Sequence, residues 1–284
     1  MPGEKLQSPL AVCATIFHLP AVAKVYPMSS LSKMLSILDL FTVDTPIWSA
    51  EGISTEIGCS APTGYRYVRE LVNAGILLRL GTGSYSLGPR IITLDYQLRT
   101  TDPYYAAGQS LMKALSAQTG CDCVMTRLFD NEIIDTHRES GADGLHLAYG
   151  RGRSRPLFLG AAPKVILATQ PKAKLRRLYE SHKQELAGFP LSETWEVFWQ
   201  TLQKVRKDGF YLSSGELESD VGAIAVPFFG EGPYAVGSLA LVIPVRRIEF
   251  MNHDKLLELL TTTADELGKV LRNADRPDAA QRIK

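Results

Sequence analysis

Arginine and hydroxyl side chains are concentrated between residues 60 and 90 of the sequence. Arg66 and Arg69 fall on one side of a helical pattern, and Thr63 and Tyr65 flank them near its beginning. A guanidinium can bond two acceptors of one guanine or bind a phosphate, and hydroxyl groups can reach backbone oxygens of DNA. These residue types therefore predict a DNA-reading surface. The candidate contact residues are Ser60, Pro62, Thr63, Tyr65, Arg66, Arg69, Arg79, Thr82 and Ser84.

Two short helices separated by a tight turn would position these side chains. Ser49 can cap a first helix, in which Ile53 and Ile57 are one turn apart. The pattern breaks at residues 58–60, and Ser60 can cap a second helix. Helical spacing predicts an inward face made of Gly64, Tyr67, Val68, Leu71 and Val72. It predicts an outward face made of Pro62, Arg66, Arg69 and Asn73.

A hairpin is predicted directly after the second helix. Gly75 ends the helix, and apolar residues 77–80 and 85–87 flank a turn, Gly81-Thr82-Gly83-Ser84, whose glycines permit positive φ. Helix, turn, helix and hairpin follow one another in the order of a winged helix-turn-helix. A small helical subdomain that carries a surface hairpin and binds no DNA is the alternative.

Composition limits the classes of protein that fit. The 284 residues suffice for about two domains. A net charge of +1 excludes a polybasic binder, so DNA affinity would come from a local surface, doubled by oligomerisation. Such a surface exists between residues 60 and 90, where four arginines face the single acidic residue Glu70. The four cysteines lack zinc-ribbon or disulfide spacing, so we predict no metal and no cofactor.

The first 28 residues are interpreted as a leader that is disordered or lies before the true start at Met28. Their apolar run resembles a signal peptide poorly, because Lys5 is the only positive residue before it and His18 and Pro20 interrupt it. No segment has the length required to cross a membrane. The sequence therefore predicts a cytoplasmic protein.

The remaining pattern predicts a linker and a second, α+β domain. A helix over residues 30–41, with Leu31, Leu35 and Leu38 on one face, begins a DNA-binding domain of residues 29–90. A short helix and a break by Pro103 predict a linker at 91–103, followed by an effector-binding domain at 104–272 and a tail at 273–284. Helices are predicted at 104–119, 163–168, 173–181, 192–207 and 252–272. Strands are predicted at 122–129, 132–138, 145–149, 221–228 and 236–243.

Several blocks of the sequence resemble the IclR family of bacterial transcriptional regulators. TGYR at residues 63–66 and GIL at 75–77 are similar to the family's recognition helix and its exit into the wing. GRSRPL at 152–157 and AAPKVILA at 161–168 are similar to its effector-pocket loop and helix, and GAIAVP at 222–227 to a late strand. The resemblance implies a winged helix, a GAF-like sensor domain, an operator in double-stranded DNA, a homodimer or homotetramer, and a small organic effector.

The chain departs from the family pattern at three residues. Pro62 and Gly64 stand where the family more often has a polar and a β-branched residue, which puts the operator preference in doubt. Gly64 lies on the inward row and allows closer helix packing, at a cost in helix propensity of about 1 kcal/mol. Pro163 replaces a glycine in a first helical turn, where proline is tolerated.

The effector implied by the resemblance is often a carboxylate or an aromatic acid. Small aliphatic walls favour a larger or less polar ligand than a compact diacid, unless the alanines simply pack a core without a cavity. Among Arg151, Arg153 and Arg155, we select Arg153 as a carboxylate ligand, with a solvated basic loop as the alternative. The candidate effector residues are Arg153, Gly160, Ala161, Ala162, Ala225, Ser238, Ala240 and Val242.

Two other classes of protein remain open. An enzyme lacks support, because the five histidines are scattered and no nucleophile elbow, zinc-protease or P-loop motif is present. Glu216 and Glu218 are interpreted as a solvated pair rather than as an acid and a base. A cytoplasmic sensor or interaction module that has lost specific DNA binding is the other alternative, and Pro62 and Gly64 are the residues that favour it.

Overall fold

A computed structural model describes residues 29–81, 83–142, 150–183 and 194–274 of the chain. It divides the chain into two compact units, Met1–Leu98 and Arg99–Lys284. The predicted leader, the wing residue Thr82 and the predicted strand at 145–149 lie outside the described residues. None of the described helices combines the length and apolar character needed to cross a membrane.

The first unit is a winged helix-turn-helix. Its helices are α1 (Ser30–Leu35), α2 (Ala50–Glu56) and α3 (Ala61–Asn73), and a 3₁₀ segment, Ser36–Leu40, follows α1. Its strands are β1 (Trp48–Ser49), β2 (Leu77–Leu80) and β3 (Ser84–Leu87), in the order β1-β3-β2. Helix α4 (Pro89–Thr101) follows and contains the boundary between the units.

Local sequence explains where these elements begin and end. The Ser49 hydroxyl accepts a hydrogen bond of 3.0 Å from the Gly52 amide and so caps α2. Gly75 adopts a φ of +72° after α3, and Gly83 a φ of +84° at the hairpin tip, both in the left-handed region that favours glycine. The Ser49 cap, the end of α3 at Gly75 and the hairpin are confirmed, whereas the predicted side-chain cap by Ser60 is wrong. Strand β1 was not predicted; Trp48 pairs with Tyr85 of β3.

The prediction for the first helix is wrong in extent and in orientation. The α-helix ends at Leu35, and the chain continues as a 3₁₀ turn instead of reaching residue 41. Leu31 and Leu35 are 70% and 56% exposed, whereas Ile37 is fully buried. The tighter 3₁₀ winding rotates the apolar positions, so Ile37 enters the core, and of the three predicted leucines only Leu38 packs against it. That core is formed by Ile37, Ala50, Ile53, Tyr67, Val68, Leu71, Leu77 and Tyr85.

The second unit is a six-stranded antiparallel sheet between two layers of helices, which confirms the predicted α+β class. Its strands are β4 (Asp122–Phe129), β5 (Glu132–Glu139), β6 (Ser154–Arg155), β7 (Tyr211–Ser214), β8 (Val221–Phe229) and β9 (Ala235–Pro244). Its helices are α5 (Pro103–Thr119), α6 (Ala161–Thr169), α7 (Lys172–Ser181), α8 (Trp195–Asp208), α9 (Val245–Ile248) and α10 (His253–Ala274). The strand order is β6-β5-β4-β9-β8-β7.

Alternation along the strands supplies a core on each face of this sheet. Leu239, Leu241 and Ile243 of β9 pack with α5 and α10, whereas Ala240 packs with α6, α7 and α8. Strand β7 pairs only with residues 222–225 of β8, so no described strand covers the outer edge of β8 at residues 226–229. Strands β6 and β7 were not predicted, because each is short and defined by its partner.

Candidate DNA-binding and effector sites

Helix α3 presents most of the predicted DNA-contact residues to solvent. Pro62, Tyr65, Arg66 and Arg69 are exposed, and Thr63 is half-buried. The opposite face is buried through Gly64, Tyr67, Val68 and Leu71, as predicted. A row of core residues therefore fixes the rotation of α3 and with it the direction of the outward side chains.

Gly64 allows unusually close contact between α2 and α3. A Cβ atom at residue 64 would lie 1.9 Å from Oγ and 2.9 Å from Cβ of Ser54. Ser54 is itself buried, and its hydroxyl donates a 2.7 Å hydrogen bond to the Ala50 carbonyl. The departure from the family pattern at residue 64 thus corresponds to a close approach that no side chain could occupy.

The exposed residues of α3 also contact one another and α2. The Tyr65 hydroxyl donates a hydrogen bond to the Glu51 carboxylate at the beginning of α2. The Arg69 guanidinium lies 3.4 Å from Glu70, in an exposed pair that contributes little stability. Ser60 does not cap α3 through its side chain; instead its hydroxyl lies 3.0 Å from that of Thr63.

The wing carries the remaining predicted contacts. Arg79 is exposed on β2, and Ser84 is half-buried on β3, paired with Leu80 and with Ser49 of β1. The structure therefore brings α3 and an arginine-bearing hairpin together in one unit.

In the second unit, a cavity of about 40 Å³ lies between α6 and the inner face of the sheet. Five of the predicted effector residues line it: Gly160, Ala161, Ala162, Ala240 and Val242. Ala225 and Ser238 are fully buried in the same sheet but do not line it. The Ser238 hydroxyl has no hydrogen-bond partner among the described residues.

The structure places Arg155, rather than Arg153, in the wall of this cavity. Arg153 is exposed and does not line the cavity. The Arg155 Nε atom donates hydrogen bonds of 2.8 and 2.9 Å to the two carboxylate oxygens of Asp135, which is fully buried. Asp135 also accepts a 2.7 Å hydrogen bond from Thr126. The cation at the cavity is therefore already compensated by a buried carboxylate.

A buried polar cluster holds the loop between β7 and β8 against the beginning of α6. The Glu216 carboxylate forms an ion pair with Lys164 and accepts hydrogen bonds from the Tyr211 hydroxyl at 2.8 Å and the Gly160 amide at 3.0 Å. Lys164 is only 3% exposed. Burial lowers the pKa of Lys164 and raises that of Tyr211. We name Lys164, Glu216, Tyr211 and Gly160 the Glu216 cluster.

The Glu216 cluster corrects the interpretation of Glu216 as half of a solvated pair. Its side chain is 19% exposed and accepts from three donors. Sequence reasoning also missed Lys164 and Tyr211. A signal was available for Lys164, because the flanking sequence AAPKVILAT is apolar on every helical face, and all nine residues of α6 are buried. A lysine inside such a helix requires a carboxylate partner elsewhere in the chain.

A larger cleft of about 360 Å³ lies between α6, α8, α10 and the end of β8. Val165, Ala168, Val205, Val226 and Phe229 form part of its wall, and Arg206 and Asp265 also line it. None of the predicted effector residues lies there. Among the described residues, no group of three His, Cys, Asp or Glu side chains is arranged to hold a metal ion.

Comparisons with known proteins agree with this architecture. The family model described as "Bacterial transcriptional regulator IclR C-terminal" matches residues 104–269. The HTH-type transcriptional regulator KdgR of Escherichia coli (strain K12) is 22% identical over 251 residues, which cover 88% of this chain and 95% of KdgR. The p-hydroxybenzoate hydroxylase transcriptional activator of Acinetobacter baylyi is 24% identical over 251 residues, which cover 86% of this chain and 92% of the activator.

Solved structures share the fold. An IclR transcriptional regulator from Alicyclobacillus acidocaldarius matches with a TM-score of 0.73 at 23% identity, over 86% of this chain and 99% of the other. An IclR homolog from Microbacterium hydrocarbonoxydans, solved with 4-hydroxybenzoate, matches with a TM-score of 0.71 at 20% identity, over 86% and 100% of the two chains. Since the family model covers more than half of the sequence, the chain belongs to the IclR family of bacterial transcriptional regulators.

Proposed function

We propose that this regulator binds an operator through residues 29–90 and a small organic effector through residues 104–272, with residues 91–103 as the linker. The observation that carries the DNA-binding part is the outward face of α3, where Arg66 and Arg69 stand exposed above a buried row. The names of the relatives, HTH-type regulators and an activator, support a cytoplasmic DNA-binding role over that of an enzyme.

We further propose that the protein acts as a homodimer or a homotetramer. No residue of α4 is buried, and its exposed apolar side chains include Ile92, Tyr96 and Leu98, at 74%, 69% and 58% exposure. A second copy packed on α4 would remove this apolar surface from water. Pairing of two chains would also present two recognition helices to successive major grooves of a palindromic operator.

Replacing Arg66 with alanine should weaken operator binding by a factor of about 5 to 150. A well-placed arginine contributes about 1–3 kcal/mol of base discrimination, and 1.4 kcal/mol corresponds to about a factor of ten. The measurement is a titration of a labelled duplex from upstream of the protein's own gene, at one salt concentration and with competitor DNA. Arg177→Ala, which removes an exposed arginine of α7, is the matched control. If both variants bound the operator as tightly as the wild type, α3 would not be the recognition helix.

The effector site is proposed at the cavity bounded by α6, β8 and β9. Its volume of about 40 Å³ is below the roughly 300 Å³ typical of ligand pockets, so the site must widen when a ligand enters. Apart from the polar residues Arg155, Ser213 and Glu218, the lining consists of glycine and aliphatic residues, which favours an aromatic or otherwise weakly polar ligand. The 4-hydroxybenzoate bound to a relative supports this class of ligand. Regulation then requires that the effector bind the DNA-competent and DNA-incompetent states with different affinity.

Filling this cavity with Ala240→Leu should abolish stabilisation by the effector. The probes are 4-hydroxybenzoate and a panel of other small aromatic acids and phenols. Binding is measured as the increase in Tm that each probe causes. A ligand at about 100 times its Kd stabilises a protein by about 2.7 kcal/mol. Ala168→Leu, which narrows the larger cleft instead, is the matched control. If Ala168→Leu abolished the response and Ala240→Leu did not, the effector would bind in the larger cleft. Retained circular dichroism and DNA binding would establish that each variant is folded.

A further inference from the structure

Tyr65 combines a position on the predicted DNA-contact surface with a defined partner for its hydroxyl group. It is 47% exposed on the flank of α3, one residue before Arg66. Its hydroxyl is bound to Glu51, which is exposed at the beginning of α2. The inference drawn from this pair rests on the proposed function of α3 as the recognition helix.

The hydrogen bond leaves Tyr65 with only acceptor capacity. The bond to Tyr65 lowers the pKa of Glu51, so the carboxylate is ionised at neutral pH and has no proton to give. The same bond raises the pKa of Tyr65, so the phenol keeps its proton. A phenol has a single proton to donate, and here Glu51 accepts it. The lone pairs of the Tyr65 oxygen remain available to an incoming donor.

This constraint disfavours one class of DNA contact and favours another. Phosphate oxygens only accept hydrogen bonds, and the negative charge of Glu51 repels them, so the pair disfavours a contact between Tyr65 and the DNA backbone. In the major groove the donors are the amino groups of adenine N6 and cytosine N4. Guanine and thymine present acceptors there instead.

We propose that Tyr65, held by Glu51, reads one base of each half-site as an amino base, preferring adenine or cytosine to guanine or thymine. Tyr65 is then a specificity-determining residue and Glu51 a positioning residue. The neighbouring Arg66 has the opposite chemistry, because a guanidinium donates and selects guanine or phosphate. Adjacent residues of α3 would thus impose complementary requirements on adjacent bases.

The test is a selection of duplexes from a randomised library by the full-length protein, followed by affinities for the selected duplex and its single-base variants. For the wild type we expect a preference for adenine or cytosine over guanine or thymine at one position of each half-site. This preference should reach about tenfold, which is the effect of one hydrogen bond. Tyr65→Phe should abolish this preference. Glu51→Ala should relax it towards guanine and thymine, because the freed hydroxyl can then donate.

Two controls separate the hydrogen bond from the charge. Glu51→Gln keeps a carbonyl acceptor for Tyr65 and should retain the preference. Glu56→Ala removes another exposed carboxylate from the same helix, and should raise affinity for all duplexes alike.

An unchanged base preference in Glu51→Ala would overturn the inference. So would a Tyr65→Phe variant that loses the same affinity for every duplex, since that result identifies a backbone contact. A wild type that selects no sequence would contradict the proposed DNA-binding function as well.

Discussion

Replacing Glu216 with alanine is expected to destabilise the second unit by about 3–5 kcal/mol, the usual cost of removing one partner from a buried ion pair. Lys164 is 3% exposed and would keep an ammonium group in an apolar helix without its carboxylate. The Gly160 amide and the Tyr211 hydroxyl would lose the same acceptor. Urea denaturation of the full chain measures the change.

Two further variants make this expectation specific to the Glu216 cluster. Glu258→Ala removes an exposed carboxylate from α10 and should change stability by no more than about 0.5 kcal/mol. The double variant Lys164→Met with Glu216→Leu removes both charges and should recover most of the loss. A loss below about 1 kcal/mol in Glu216→Ala would contradict the assignment of Lys164 as a buried, charged partner.

The pH dependence of Glu216→Ala has a defined sign. Burial already holds the pKa of Lys164 below its ordinary value of 10.5, and loss of the neighbouring carboxylate should lower it further. The unfolded chain then binds more protons at this residue than the folded chain does, so the stability of the variant rises with pH. The loss relative to the wild type should therefore shrink as pH rises from neutrality towards the ordinary lysine pKa.

Replacing Gly64 with alanine should destabilise the winged helix by about 2 kcal/mol and remove operator binding. The added Cβ would lie 1.9 Å from Oγ of Ser54, an overlap that places the cost at the upper end of the usual range for overpacking, about 3 kcal/mol. The gain in helix propensity returns only about 1 kcal/mol. Displacement of α3 from α2 would move every outward side chain of the contact surface. Hydrogen exchange of residues 50–73 in the full chain measures the local loss.

The compensating variant for Gly64→Ala lies across the contact. Ser54→Gly removes both the Oγ and the Cβ atoms that the new methyl group would meet. A double-mutant cycle should therefore give a favourable coupling between Gly64→Ala and Ser54→Gly. If Gly64→Ala were as stable as the wild type and still bound DNA, the close approach of α2 and α3 would not be required.

The elements that could be predicted from sequence are those whose ends depend on local chemistry. Ser49 caps α2 within three residues, and Gly75 ends α3 by its own backbone conformation. Strands β1 and β7 have no such local determinant, because each has two to four residues and is defined by a distant partner. The prediction for the first helix was wrong because Ile37 is buried in the core, whereas Leu31 and Leu35, which the leucine spacing placed inwards, are exposed.

The effector region was harder to predict for the same reason. Sequence position identified the small residues of the cavity wall, which belong to α6 and β9. It could not identify the polar partners, since Lys164 and Glu216 are 52 residues apart and Arg155 and Asp135 are 20 apart. The Arg155–Asp135 pair depends on the register of β6 on β5, and the Lys164–Glu216 pair on the packing of α6 against the loop between β7 and β8. The composition of the separate segments specifies neither.

Residues 226–229 of β8, which no described strand pairs on the outer side, are a potential site of aggregation. An exposed strand edge is a template on which a second chain can add a strand. The Gly215 amide and the Ser213 hydroxyl bond to the carbonyls of Val221 and Ala223, so alternate residues of β8 point their backbone groups outwards. The next such residue is Pro227, which has no amide proton. Beyond it the pairing of β8 with β9 shifts register between Phe228 and Phe229, and the Phe229 carbonyl accepts a hydrogen bond from Arg272. An incoming strand would therefore lack the amide donor of Pro227 and would meet an irregular backbone after Phe228, and both features protect an edge against amyloid-like growth.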